Sequence, residues 1–245
     1  MLKAIIFDCD GVLVDTERDG HRVGFNRAFA QFGIDVEWDV PLYGKLLQVA
    51  GGKERMRAYF EEYGWPANKA AELGSRDELI KALHKAKTEI TAGLVAEGAL
   101  PLRPGIVRLV DEALAADVRL GVCTTSNPLF IDAVLDLFGP DRKAEFGFVH
   151  AGDVVARKKP DPEIYELAKM SLELPVSQCV VIEDSRNGLL AAKGAGLPCL
   201  ITTSTYTVDE DFSEADLVVP ELGDAPTINV TLADLGELAA EHAAA

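Results

Sequence analysis

Short apolar runs rich in β-branched residues recur along this chain, and helix-length stretches separate most of them. The runs are Ala4–Phe7, Leu120–Cys123, Gly147–Val149, Val180–Ile182 and Cys199–Ile201. Apolar residues recur at helical spacing between them, as in 129–138 and 163–172. Strands that alternate with helices indicate a parallel sheet covered by helices on both faces. The sequence therefore predicts an α/β fold with a doubly wound parallel sheet.

One interval breaks this alternation, because more than a hundred residues separate Phe7 from the next apolar run at Leu120. This interval is nearly all helix-forming and holds most of the aromatic residues, which predicts an inserted helical domain over residues 17–98. The segment Glu97–Pro104 contains a glycine and two prolines and is the expected return linker. The α/β core would then comprise 1–16 and 99–245, with the alanines at 243–245 expected to fray.

The chain is strongly acidic, with 24 Lys and Arg against 40 Asp and Glu and a formal net charge of −16. This charge argues against attraction to nucleic acid or an anionic membrane, and no apolar run approaches the ~18 residues of a membrane span. We therefore expect a soluble protein that binds neither nucleic acid nor a membrane, and we expect it to be a monomer. Cations placed locally would attract any phosphate group. The four cysteines lie in or beside apolar segments without a zinc-ligand spacing, which predicts buried reduced thiols.

Polar residues follow the apolar runs, and ligands of open parallel sheets bind beyond the carboxyl ends of the strands. Asp8 and Asp10 follow the first run, and Glu183 and Asp184 follow a later one. The other strand ends supply Thr124, Thr125, Ser126, Asn127, Lys158 and Lys159. Carboxylates held 4 Å apart repel by about 4 kcal/mol at an effective dielectric constant of 20, unless a cation lies between them. The oxygen-rich set suits Mg²⁺, although Asp8 and Asp10 could instead be turn or helix-cap residues.

The motifs at the strand ends resemble those of a known family. Residues 8–17 read DCDGVLVDTE and resemble the DxDGxLxDTE opening of the haloacid-dehalogenase-like (HAD) phosphohydrolases. Thr124, Lys159 before Pro160, and the acidic segment 183–185 are similar to the remaining motifs of that family, in the same order. The insert, with GGKERM at 51–56, resembles that of the CbbY-type sugar-bisphosphate phosphatases, and within them the plant and algal plastid members. The resemblance implies a Rossmann-like HAD core with an inserted helical cap domain.

The resemblance also implies roles for the acidic residues. Asp8 would attack the phosphorus atom and form an aspartyl-phosphate. Asp10 would protonate the leaving sugar oxygen and then take a proton from water, which requires that its neighbours raise its pKa. Mg²⁺ would be held by Asp8, the backbone carbonyl of Asp10, and Asp184, with Glu183 binding directly or through water.

The hydroxyl and lysine residues would bind the transferring phosphate. Thr124, with the backbone around Thr125 and Ser126, would donate hydrogen bonds to its oxygens. Lys159 would neutralise developing charge, since the family's lysine stands before proline, although the adjacent Lys158 leaves the choice open. Asn127 completes this group of candidate substrate-binding residues.

The insert supplies further candidates. The segment Gly51, Gly52, Lys53, Glu54 and Arg55 opens a helix, whose N-terminus with the two cationic side chains would form a second anion site. The alternative is a helix start broken by glycines, with its charges solvated. Glu17 and His21, four residues apart at the insert entry, could face substrate hydroxyls, although His21 could equally be a packing or capping residue.

Two anion sites favour a small sugar bisphosphate as substrate. The resemblance implies xylulose-1,5-bisphosphate, an inhibitor of the carbon-fixing enzyme, which would be converted to xylulose-5-phosphate and phosphate. The alternative is a sugar phosphomutase of the β-phosphoglucomutase type, which uses the same two aspartates but returns the phosphate to the sugar. A signalling receiver module is a remote alternative. It has similar acidic residues, but it lacks a helical insert. A plant or algal protein would lie in the chloroplast stroma after loss of a transit peptide, and otherwise in the cytoplasm.

Overall fold

The computed structural model describes residues 1–242, in which six parallel strands form one sheet. The strands are β1 (Ala4–Phe7), β2 (Arg119–Thr124), β3 (Phe146–Ala151), β4 (Cys179–Glu183), β5 (Cys199–Thr202) and β6 (Leu217–Val219). They lie in the order β3-β2-β1-β4-β5-β6, which is that of a doubly wound α/β sheet. The predicted fold class is thus confirmed. The prediction missed β6, because this three-residue edge strand is only partly buried and too short to stand out.

A bundle of helices lies between β1 and β2. A π-helical turn, Glu17–His21, runs directly into α1 (Arg22–Gln31), and it is followed by α2 (Val40–Leu46), α3 (Gly52–Tyr63), α4 (Ala67–Glu72) and α5 (Arg76–Ala96). Trp38 is central to their apolar cluster, with its ring centroid 4.7 Å from that of Phe25 and 5.0 Å from that of Phe29. The insert therefore buries an aromatic core of its own.

The remaining helices cover the two faces of the sheet. They are α6 (Ile106–Ala115), α7 (Pro128–Asp136), α8 (Pro140–Ala144), α9 (Glu163–Leu172), α10 (Arg186–Gly194) and α11 (Leu232–His242). Because side chains alternate across a strand, Ile5 and Phe7 of β1 join one apolar cluster, while Ala4 and Ile6 join the other. Strand β1 is buried on both faces, so the residues that follow it are held at a rigid edge.

The chain enters and leaves the insert along two adjacent legs. Val14 on the entry leg pairs with Leu102 on the return leg in an antiparallel bridge. The backbone N–H of Arg103 donates to the Leu13 carbonyl at 2.8 Å. The Arg103 guanidinium donates to the carbonyls of Thr203 and Pro220, at 2.8 and 2.7 Å. The return leg is therefore bonded both to the entry leg and to the segments that flank β6.

Two further predictions concern the whole chain. Cys9, Cys123, Cys179 and Cys199 are buried free thiols, which confirms that part of the prediction. Among residues 1–242, none of the helices is both long and apolar enough to cross a membrane. The fraying predicted for 243–245 lies outside the described residues.

Candidate active site

A lysine and three carboxylates meet at the carboxyl ends of β1 and β4. The ammonium of Lys159 lies 2.7 Å from Asp8 Oδ1 and 2.5 Å from Glu183 Oε1, and it also donates to the Cys123 carbonyl at 2.9 Å. The ammonium of Lys158 instead lies 3.0 Å from Asp153 Oδ1. Of the two adjacent lysines, the structure therefore brings Lys159 into the acidic cluster.

The carboxylates form a compact oxygen cluster. One oxygen from each of Asp8, Glu183 and Asp184 lies within 4.8 Å of the other two. Tyr165 donates its hydroxyl to Glu183 at 2.5 Å, and Ser204 donates to Asp184 at 2.6 Å. These two hydroxyl groups hold the carboxylates of Glu183 and Asp184 in place. Sequence reasoning identified neither Tyr165 nor Ser204.

Burial raises the pKa values of two carboxyl groups in this cluster. Burial raises the pKa of Asp8 to about 8, although the charge of Lys159 opposes the rise. Burial and the neighbouring charges of Glu183 and Asp8 raise the pKa of Asp184 well above its usual range. One ammonium thus faces three carboxylates, and a further cation would relieve the repulsion that remains. A buried set of carboxylate oxygens without nitrogen or sulfur donors fits Mg²⁺.

A glycine lets the chain approach this cluster closely. Gly11 has a φ of +81°, in the left-handed region, and a Cβ there would collide with the carboxylate of Asp184. Any larger side chain at this position would displace one of the three carboxylates.

Asp10 lies apart from the cluster and turns toward the insert. Its carboxylate accepts hydrogen bonds from Thr16 and Ser126, and Asp10 Oδ1 lies 2.6 Å from His21 Nε2. Burial by itself would raise the pKa of Asp10, but the charge and hydrogen bond of His21, with those two hydroxyls, lower it below its usual range. This corrects the expectation that the neighbours of Asp10 raise its pKa, since the sequence did not reveal that His21 faces Asp10.

A buried lysine of the insert supports His21. Lys87 Nζ lies 2.8 Å from His21 Nδ1 and 5.1 Å from the centre of the Phe25 ring. Burial lowers the pKa of Lys87 to about 8. Sequence reasoning missed this residue, although one signal was present: Leu83, Lys87 and Thr91 share the buried face of α5 at intervals of four residues. A lysine on the buried face of a helix is uncommon unless it has a buried partner.

The polar residues that follow β2 differ in position, since one is buried and the others line the cavity. Thr124 is buried, and its hydroxyl oxygen accepts from the Ser126 N–H at 3.1 Å. Thr125, Ser126 and Asn127 line the cavity between the core and the insert. The Asn127 side chain also accepts from the Leu129 N–H at 2.9 Å, which caps α7. The structure therefore groups three of these four residues with the cavity.

The insert contributes the opposite wall. Gly51, Gly52, Arg55, Glu17 and His21 line the same cavity as Asp8 and Lys159. Arg55 is buried and donates to the Tyr43 hydroxyl at 2.8 Å, and that hydroxyl donates to Glu17 at 2.5 Å.

Lys53 departs from the predicted second anion site. Its ammonium is paired with Asp153 of the core, and its side chain is not among the cavity-lining groups that the described residues supply. In this structure the two cationic side chains therefore lie apart, with Arg55 on the cavity wall and Lys53 paired with Asp153, and their joint binding of an anion stays a prediction.

Comparisons with known proteins identify the family that this chain resembles. A family model described as haloacid dehalogenase-like hydrolase matches residues 2–196. A CBBY-like protein of Arabidopsis thaliana is 52% identical over 237 residues, which are 96% of this chain and 74% of the relative. A crystal structure of CbbY from Rhodobacter sphaeroides in complex with phosphate is 41% identical with a TM-score of 0.84, covering 96% of this chain and 99% of that one. A mutant of that CbbY, in complex with xylulose-(1,5)bisphosphate, matches at 40% identity with the same TM-score and the same two coverages.

Proposed function

Because this chain belongs to the haloacid dehalogenase-like hydrolases, and within them to the CbbY-type phosphatases, we propose that it converts xylulose-1,5-bisphosphate to xylulose-5-phosphate and free phosphate. The observation that carries the proposal is the cluster of Asp8, Lys159, Glu183 and Asp184 at one end of a cavity whose other wall is the insert. The sugar itself is supported by the ligand of the CbbY structure at 40% identity.

Asp8 is the proposed nucleophile. Its carboxylate attacks phosphorus as the sugar oxygen leaves, and water then hydrolyses the aspartyl-phosphate, so that one difficult displacement becomes two easier ones. The Lys159 ammonium, 2.7 Å from Asp8 Oδ1, lies where it would offset charge on the phosphoryl group. Thr125 and Ser126, which line the cavity, would supply hydrogen-bond donors for its oxygens, and Thr124 behind them would hold this segment by accepting from the Ser126 N–H.

Asp10 is the proposed acid and base. In the first step it would deliver a proton to the leaving sugar oxygen, with His21 Nε2 held 2.6 Å from Asp10 Oδ1. In the second step Asp10 takes a proton from the attacking water, which returns the pair to its starting state. Lys87 positions the imidazole by its contact with the other ring nitrogen.

Mg²⁺ is the proposed cofactor. Asp8, Asp184 and the backbone carbonyl of Asp10 would hold it, with Glu183 binding directly or through water. When bound, the ion would supply positive charge that offsets the repulsion between the carboxylates and the incoming phosphate.

The second phosphate would lie against the N-terminus of α3. Gly51 and Gly52 line the cavity there with Arg55 one turn further on, and the helix N-terminus presents unpaired N–H groups to an anion. Lys53 would join this site after leaving Asp153. Similarity to a plant protein supports a place in the chloroplast stroma, where the reaction would clear an inhibitor of carbon fixation.

The test of this function is release of free phosphate from a panel of substrates. The panel contains xylulose-1,5-bisphosphate, ribulose-1,5-bisphosphate, fructose-1,6-bisphosphate, xylulose-5-phosphate and glucose-1-phosphate. We expect one equivalent of phosphate per xylulose-1,5-bisphosphate, at a kcat/KM at least about tenfold above the others, which is a difference of about 1.4 kcal/mol in the barrier. An isomeric sugar phosphate formed without phosphate release would identify a mutase and contradict the proposal.

The state of Lys53 leads to a paired prediction. Lys53→Ala should raise the KM for xylulose-1,5-bisphosphate about tenfold, since a charged hydrogen bond contributes roughly 1.5–3 kcal/mol. Asp153→Asn should leave that KM unchanged or lower it, because the Lys53 ammonium then loses the carboxylate with which it is paired. Steady-state kinetics of both variants, with a monophosphate as reference substrate, measure the effects. A rise in KM for both variants would mean that the pair only docks the insert on the core.

A further inference from the structure

The segment after β5 connects four parts of the molecule through successive residues. The carbonyl of Thr203 accepts from Arg103 on the return leg, and Ser204 donates to Asp184 at 2.6 Å. Thr205 donates its hydroxyl to Asp15 on the entry leg at 2.5 Å. The ring of Tyr206 packs 5.8 Å from the centre of the Tyr43 ring on α2. The position of Tyr206 is thus fixed from the core, both legs and the insert.

The hydroxyl of Tyr206 is buried and has no hydrogen-bond partner among residues 1–242. Tyr206 lines the cavity that also holds Asp8, Lys159 and the glycines at the start of α3. A buried hydroxyl without a partner destabilises a fold, and native structures have few such groups. A partner that enters with the ligand would remove this cost.

The surroundings of this hydroxyl favour an uncharged partner. Charged side chains of both signs act on it, namely Arg22, Glu17, Arg18 and Asp19, two of each. A hydroxyl group of a ligand fits this mixed environment, since it can both donate and accept a hydrogen bond. Burial raises the pKa of Tyr206, so its phenol stays protonated at neutral pH and can both donate and accept.

We propose that Tyr206 is a specificity-determining residue, whose hydroxyl hydrogen-bonds a hydroxyl group of the sugar between the phosphate end and the insert. The inference rests on the proposed function in that the ligand is a polyol phosphate, but it does not depend on which sugar is bound. It explains why this loop is bonded to both legs and to Asp184, because a hydrogen bond discriminates between ligands only when its donor is held in place.

The test measures how removing the Tyr206 hydroxyl changes ligand affinity and how it changes thermal stability. Tyr206→Phe is made in an Asp8→Asn background, and the dissociation constant is measured calorimetrically for xylulose-1,5-bisphosphate and for inorganic phosphate. We expect the constant for the sugar bisphosphate to rise about three- to tenfold and that for phosphate to change less than about twofold. The melting temperature of the ligand-free protein should stay the same or rise, because the variant removes an unsatisfied polar group. A structural hydroxyl would instead lower the melting temperature when it is removed.

Tyr63→Phe is the matched control, since its ring is mostly exposed on the insert and lies outside the cavity lining. The comparison is also made with the sugar phosphate that releases phosphate fastest in the panel. If that sugar is not xylulose, the proposed substrate is wrong while the role of Tyr206 is still tested. Equal losses of affinity for the sugar bisphosphate and for phosphate, or no loss for any sugar phosphate, would overturn the inference.

Discussion

Asp8→Asn should reduce phosphate release on the order of 10⁴-fold or more, because an amide is nearly isosteric with the carboxylate but is a very poor nucleophile. The fold should remain intact, since Lys159 keeps its bonds to Glu183 at 2.5 Å and to the Cys123 carbonyl at 2.9 Å. Burial also raises the pKa of Asp8 to about 8, so replacing its carboxylate removes a charge that is disfavoured in the fold. Single-turnover kinetics and the melting temperature separate these two effects.

Asp132→Asn is the control for Asp8→Asn, because Asp132 lies exposed on α7 and pairs with Lys143 at the surface. It should retain full activity. A covalent phosphoryl group should be found on Asp8 when the unsubstituted protein is quenched during turnover and mapped by mass spectrometry. If Asp8→Asn kept more than about one hundredth of the rate, Asp8 would not be the nucleophile, since loss of one proton-transfer group alone costs about 10²–10⁴-fold.

Removing divalent cations with a chelator should lower the rate about 10³-fold, and added Mg²⁺ should restore it. A metal ion at a phosphoryl oxygen supplies several kcal/mol of charge stabilisation, and each 1.4 kcal/mol corresponds to about a tenfold change in rate. Saturating Mg²⁺ should also raise the melting temperature, since a ligand at about 100 times its dissociation constant stabilises a fold by roughly 2.7 kcal/mol.

Asp184→Asn should remove the thermal response to Mg²⁺ without destabilising the metal-free protein. Burial and the charges of Glu183 and Asp8 raise the pKa of Asp184, and a neutral side chain relieves that repulsion while it can still accept from Ser204. Asp10→Asn should lose activity but keep the response, because the proposed ligand of Asp10 is its backbone carbonyl. Glu210→Gln is the control, since Glu210 lines the same cavity outside the cluster. An Asp184→Asn variant that still gains stability from Mg²⁺ would place the metal elsewhere.

The sequence allowed the sheet and its strand-end residues to be predicted because both depend on local patterns. The apolar runs mark buried strands, and parallel strands bring their carboxyl ends to one edge. Asp8, Glu183 and Asp184 could therefore be grouped from the sequence, and one oxygen of each lies within 4.8 Å of the other two. The bonds of Ser204 and Lys87 could not be predicted, because each joins segments far apart in the chain.

The pKa of Asp10 shows the same limit of local reasoning. A buried carboxyl between other acids is expected to have a raised pKa, and Asp8 follows that expectation. The Asp10 carboxylate deviates because the orientation of the insert brings His21 against it. Lys53 deviates for a similar reason, since its partner Asp153 lies one hundred residues further along the chain. A sequence motif identifies which residues lie together in the site. Their pKa values and ion-pair partners depend on tertiary contacts that the motif does not contain.

The antiparallel bridge between Val14 and Leu102 makes the insert a closed excursion of the chain, because its two ends lie side by side. The entropy of closing such a loop grows only with the logarithm of its length, so even a doubling of the insert would destabilise the core by only about 0.6 kcal/mol. Residues can therefore be gained or lost within the insert at little cost to the sheet. Evolution can reshape the wall that contacts the sugar while the wall that carries Asp8 and Lys159 keeps its geometry.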